Sequence, residues 1–129
     1  MNLNPKFPLY LPGVQNGNND NVSIIGANLR EDVTTVGYFI SGNGGLEVKI
    51  QNNYPTKEFS SFSDILKKFI QENNLENVKR LGMAVPGPVL DGRSAPARLG
   101  WNLEVEDFKK DFGFERVEML NDLEASAYG

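Results

Sequence analysis

Residues Val78 to Val89 read VKRLGMAVPGPV, and this stretch decides how the rest of the chain is arranged. From Leu81 to Val85 no side chain is polar. A run that short and that apolar reads as a strand buried on both faces, the kind found in parallel sheets. Pro86 and Pro88 then bracket Gly87 in a stiff loop, since each ring fixes φ and removes a backbone donor.

Upstream lies an amphipathic helix. Phe62, Leu66, Phe69 and Ile70 recur at helical spacing against Lys67, Lys68, Gln71 and Glu72. Ser61 or Ser63 can cap its start, and Asn73-Asn74 ends it. Before the helix come VSIIGANL (22–29) and TTVGYFIS (34–41), both rich in strand-forming residues. Gly42-Asn43-Gly44-Gly45 supplies a hairpin turn, because Gly and Asn tolerate positive φ. In LEVKIQ (46–51), Leu46, Val48 and Ile50 alternate with Glu47, Lys49 and Gln51, which predicts a strand with one wet face. Downstream, Asp91-Gly92 is a turn, VEDFKKDFG (105–113) a short helix stopped by Gly113, and FERVEML (114–120) the fifth strand. LEASAYG (123–129) opens a third helix. The order is β-β-β-α-β-α-β-α. Strands joined by helical crossovers pair in parallel, so the expectation is an α/β domain with a mixed five-stranded sheet and helices on its faces.

The bulk composition narrows the chemistry. A chain of 129 residues, 40% hydrophobic and 23% charged, suits one globular domain. Its net charge of −4, with no basic stripe, argues against a nucleic-acid surface. There is no Cys, so no disulfide framework or thiolate; this suits a reducing compartment, and a cytoplasmic location is the expectation. There is no His either, which removes Ser-His-Asp triads and His metal sites; no metal ligand set is expected. No run is long and apolar enough for a membrane span. Residues 1–21 are interrupted by Pro5, Pro8 and Pro12 and end in NGNNDN (16–21). They read as an irregular extension rather than a signal peptide, with FPLYLPGV (7–14) strapped across the domain surface. The domain proper is assigned to residues 22–129.

Without His or Cys, reaction chemistry falls to carboxylates and amides. Asn121-Asp122 stands where the fifth strand ends, the edge of an open α/β sheet at which ligands bind. Asp122 could take a proton from a substrate hydroxyl while Asn121 holds its neighbours. Locally a second reading is favoured: both residues are good N-caps, and Asn121-x-x-Glu124 resembles a capping box. The two readings are compatible. The Pro-Gly-Pro loop is either one wall of a cleft or a plain strand exit. Trp101 is a sugar platform or, more commonly, a core anchor. Arg30-Glu31-Asp32 reads as a solvated turn that offers no glycine for close phosphate approach.

Taken together, GANLREDVTTVGYF (26–39), GMAVPGPV (82–89), ARLGW (97–101) and EMLNDLEASAYG (118–129) resemble, in order and spacing, the N-terminal domain of bacterial glucokinases. That family belongs to the actin-like sugar kinase and Hsp70 superfamily, so the resemblance implies a ribonuclease H-like/actin-like sheet. It further implies ATP-dependent phosphorylation of glucose or a similar hexose at the 6-hydroxyl, with ATP and Mg2+ as cofactors. Asp122 then matches the catalytic base and Asn121 the adjacent sugar ligand. The family's phosphate loop, Asp-x-Gly-Gly-Thr, aligns with Asn28, Leu29, Arg30, Glu31 and Asp32, a degenerate version in which both glycines have gained side chains. Arg98 stands where the family usually has Asn in Thr-Asn-x-x-Trp.

Members of the family are much longer, so the chain is expected to be the small domain of a two-domain kinase and inactive alone. A family helix that would return onto this domain leaves an apolar patch, and self-association through it is expected. The altered loop supports an alternative, a sugar-binding regulatory pseudokinase domain. A third reading is an α/β interaction domain in which Asn121-Asp122 only caps a helix.

Overall fold

The apolar run around Met83 becomes the central parallel strand of the sheet. The computed structural model describes residues 22–42, 45–96 and 99–121. Its strands are β1 (Ser23–Asn28), β2 (Val33–Gly42), β3 (Gly45–Pro55), β4 (Arg80–Val85), β5 (Arg93–Ser94), β6 (Leu103–Glu104) and β7 (Arg116–Asn121). The main sheet has the order β3-β2-β1-β4-β7. β1 and β3 flank β2 antiparallel, while β4 runs parallel to both β1 and β7. This is the expected five-stranded mixed sheet.

Its helices are α1 (Phe62–Glu72) and α2 (Val105–Phe112). Ser61, not Ser63, caps α1: its hydroxyl accepts from the Asp64 N–H at 3.3 Å. At the other end Asn73 donates from Nδ2 to the Phe69 carbonyl (2.9 Å) and to Asn52 Oδ1 (3.2 Å). One side chain thus closes the helix and ties it to β3. Gly113 ends α2 in the left-handed region (φ 77°), where a residue without Cβ is unstrained, and its N–H reaches the Lys109 carbonyl at 2.9 Å.

The apolar stripe of α1, Phe62, Ile65, Leu66 and Phe69, is fully buried against Ile25, Ala27, Leu29, Leu81, Met83 and Val85. Phe108 of α2 meets Phe62 edge-on, with ring centroids 5.6 Å apart. Both described helices therefore cover the same face of the sheet, where helices on its faces were expected. Leu123 to Gly129, the expected third helix, and the 1–21 extension lie outside the described residues.

β3 keeps the alternation in exposure read in LEVKIQ, with Glu47, Lys49 and Gln51 exposed and Val48 and Ile50 half-buried. It runs on to Pro55, and its register against β2 shifts between Tyr38–Ile50 and Phe39–Val48, so Lys49 is an extra residue, a β-bulge. The bulge puts Ile50 beside the main core, whereas Val48 packs with Ile24 and Phe39 in a second small cluster. The two half-buried apolar residues thus lie on opposite faces of the sheet. The turn at Asp91-Gly92 is present, with both residues at positive φ (53° and 74°) and reciprocal Leu90–Arg93 backbone bonds of 2.9 and 3.0 Å. It begins the β5–β6 ribbon, which was not anticipated because two-residue strands leave no periodicity to detect. Trp101 is buried in the main core, the anchor reading rather than the platform. Among the described residues Leu90 is the exposed large hydrophobic, at 75%.

Two predictions follow from this packing. Phe69→Ala empties a fully buried site and should cost about 3–5 kcal/mol, read by denaturant unfolding. The second concerns acid. Tyr54 donates to Glu72 Oε1 at 3.0 Å, and Lys68 pairs with Oε2 at 3.1 Å. The Lys68 bond first, then that of Tyr54, holds the Glu72 carboxyl below its ordinary range; burial, then Glu72, pushes the Tyr54 hydroxyl well up. A depressed carboxyl stabilises the fold above its unfolded-state value, and that contribution is lost as the pH falls through the folded-state value. Thermal melts should therefore show Tyr54→Phe losing less stability than the parent chain as the pH drops below about 4.3.

Candidate functional site

Three parallel strands end at one edge. Asn28 at the end of β1 pairs with Ala84, and Val85 at the end of β4 pairs with Asn121 at the end of β7. The loops that leave these strands, Leu29–Asp32 and Pro86-Gly87-Pro88, share the edge where ligands bind in open α/β sheets.

On the β7 side, Asn121 is half-buried and donates from Nδ2 to the Gly87 carbonyl. The strand end is thereby fastened to the Pro-Gly-Pro loop. Ser94 Oγ donates to the Pro88 carbonyl at 2.8 Å, holding the loop from β5. Gly87 lies against Pro96, where an added Cβ would stand 3.4 Å from the ring. The two motifs singled out in the sequence, far apart along the chain, are thus in direct contact. Asp122 and Arg98 lie outside the described residues.

On the β1 side the loop is held from beneath. Leu29 is fully buried and its N–H bonds to the Ala84 carbonyl at 2.9 Å. Thr56 donates from Oγ1 to the Arg30 carbonyl (2.6 Å), shares a 2.9 Å hydroxyl contact with Thr34, and sends its N–H to the Asp32 carbonyl (3.2 Å). Thr34 and Thr56 are both buried. On top, Glu31 and Asp32 are exposed, as a solvated turn requires. Asp32 Oδ1 accepts the Val33 N–H at 2.8 Å and stands 3.9 Å from Arg30 Nε. Asn28 is buried and engaged, with its Oδ1 receiving no hydrogen bond. Sequence reading missed the two threonines, because in a β-branched stretch Thr looks like any strand former.

This loop does not fit nucleotide phosphates. A backbone cradle for an anion alternates right- and left-handed residues so that successive N–H groups converge. From Asn28 to Val33 no residue has positive φ. Nor do the described residues contain a group of three or more carboxylates that could hold a metal. A groove of about 290 Å3, lined by Ile70, Leu75, Val78, Phe112 and Phe114 among others, lies away from this edge, beside the starts of β4 and β7. No helix among the described residues is long and apolar enough to cross a membrane.

The fold is that of an actin-like α/β domain. Superposition on a glucokinase from an Antarctic psychrotroph gives a TM-score of 0.70 at 23% identity, over 82% of this chain and 34% of that one. A putative sugar kinase from Cytophaga hutchinsonii gives 0.59 at 18%, over 77% and 36%. Residues 33–129 match the glucokinase family model, and the chain belongs to that family. A glucokinase of Nostoc punctiforme is 25% identical over 89 residues, 69% of this chain and 26% of that protein. The chain thus spans about a quarter of that relative's length.

The hydroxyl relay is open to test. Thr56→Val leaves the Arg30 carbonyl and Thr34 hydroxyl without their buried partner and should cost about 1–3 kcal/mol by chemical denaturation. Thr56→Ser, which keeps the hydroxyl, should recover most of that loss.

Proposed function

We propose that this chain supplies the sugar-facing wall of a glucokinase-type hexose kinase, acting on the 6-hydroxyl of glucose or a close relative. The observation that carries the reading is the Asn121–Gly87 contact: it joins the Asn-Asp and Pro-Gly-Pro motifs at the carboxyl edge of the parallel strands, in a member of the glucokinase family.

In this reading Asp122 accepts the proton of the sugar 6-hydroxyl, and Asn121 holds a neighbouring hydroxyl through its side-chain amide. The bond to Gly87 fixes the Asn121 rotamer before the sugar arrives, so less side-chain freedom is lost on binding. The family uses ATP and Mg2+, which supply the phosphoryl group and neutralise its charge. The residues of the β1–β2 loop do not fit those groups, so their grip belongs to other parts of a complete kinase. The location proposed is the cytoplasm, where free hexose and nucleotide meet.

A second reading, sugar binding without phosphoryl transfer, is favoured by the absence of a positive-φ residue between Asn28 and Val33.

Two outcomes test the proposal. The purified 129-residue chain should show no glucose-dependent ATP turnover. In a catalytically active protein containing these residues, Asp122→Asn should lower kcat by about 10²–10⁴-fold with little change in glucose KM. Glucose binding with no turnover in such a protein would select the second reading, and no effect of Asp122→Asn on an active enzyme would sink the base assignment.

A further inference from the structure

The loop between β1 and β2 carries its own anion. Its carbonyls at Arg30 and Asp32 are turned towards Thr56, and the buried Thr34–Thr56 contact holds that arrangement from below. Leu29, with its side chain in the core and its N–H on Ala84, pins the loop's start. At the loop's end the Val33 N–H points at a carboxylate, and the carboxylate is the protein's own, Asp32 Oδ1 at 2.8 Å. The Arg30 guanidinium faces the same oxygen at 3.9 Å. A backbone N–H and an arginine are the two groups with which such a loop would greet a phosphate.

We infer that Asp32 is a built-in phosphate surrogate that closes this loop to nucleotide phosphates. The inference rests on the reading of the crevice as a glucokinase-type site and specifies what its β1 side rejects. Three features act together. The Asp32 carboxylate occupies the Val33 N–H from within and stands 3.9 Å from the Arg30 guanidinium. Asp32 and the adjacent, exposed Glu31 repel an incoming polyphosphate, an effect that is screened by salt. The Thr56 clamp keeps the carbonyls of residues 30 and 32 facing inward, so the segment cannot readily turn to offer successive N–H groups. Specificity by occupying one's own donors is a form of discrimination against the wrong ligand.

The test is an amide NMR titration of the 129-residue chain with tripolyphosphate and magnesium, comparing the unaltered protein with Asp32→Gly. Asp32→Gly removes the carboxylate and admits positive φ at that position. The signals of residues 28 to 33 should stay in place in the unaltered chain. In Asp32→Gly they should shift, at a polyphosphate affinity at least about tenfold higher. Equal shifts in both proteins, or a folded Asp32→Gly variant whose loop signals do not move, would overturn the inference. If Asp32→Gly loses its dispersed spectrum, Asp32→Ala decides by the same comparison. The parent reading is decided separately, by Asp122→Asn in a catalytically active protein containing these residues, so its failure leaves the loop comparison intact.

Discussion

Everything in this domain hangs on β4 being paired in parallel on both sides. Leu81, Met83 and Val85 face the helices and are buried, each contributing about 1.5–3 kcal/mol by leaving water. Their neighbours Gly82 and Ala84 are buried as well, on the opposite face. A strand with no polar side chain is stable only between two partners, and β1 and β7 fill those places. Because all three run the same way, they deliver Asn28, the Pro-Gly-Pro loop and Asn121 to one edge. That shared edge is a consequence of strand direction before it is a matter of chemistry.

The two sides of that edge are built in contrasting ways. On the β7 side, polar groups are arranged towards a shared loop: Asn121 on Gly87, Ser94 on Pro88. The ring of Pro96 packs beneath Gly87 and leaves it in ordinary contact. On the β1 side the polar groups satisfy each other. Thr34, Thr56, Arg30 and Asp32 are linked through carbonyls, hydroxyls and one carboxylate within the loop and its support. Polar groups converge on a shared loop at one side of the edge and are engaged within the loop and its support at the other.

Much of this was legible in the residues. Leu81 to Val85 signalled a buried strand by having nothing polar to expose, and α1 announced itself by the spacing of Phe62, Leu66, Phe69 and Ile70. The turn at Asp91-Gly92 and the stop at Gly113 were legible because both positions need positive φ, for which few residues are suited. Where reading failed, the cause was long-range. Lys49 looks like an ordinary wet-face residue, and only its pairing with β2 makes it a bulge that sends Val48 and Ile50 to different clusters. The β5–β6 ribbon is two residues wide and exists because Arg93 and Ser94 meet Glu104 and Leu103.

The sequence by itself determined the order of the main-sheet strands and the two described helices, the position of Asn121 and the Pro-Gly-Pro motif at strand ends, and the absence of glycine from the β1–β2 loop. These are local properties, set by periodicity, φ preference and side-chain chemistry. Only the tertiary structure decided that Asn121 holds Gly87, that both described helices share a face, and that Thr56 clamps a loop 26 residues away in the chain. A hydrogen bond between distant residues depends on register and strand direction together, and neither is written in any one stretch of the chain.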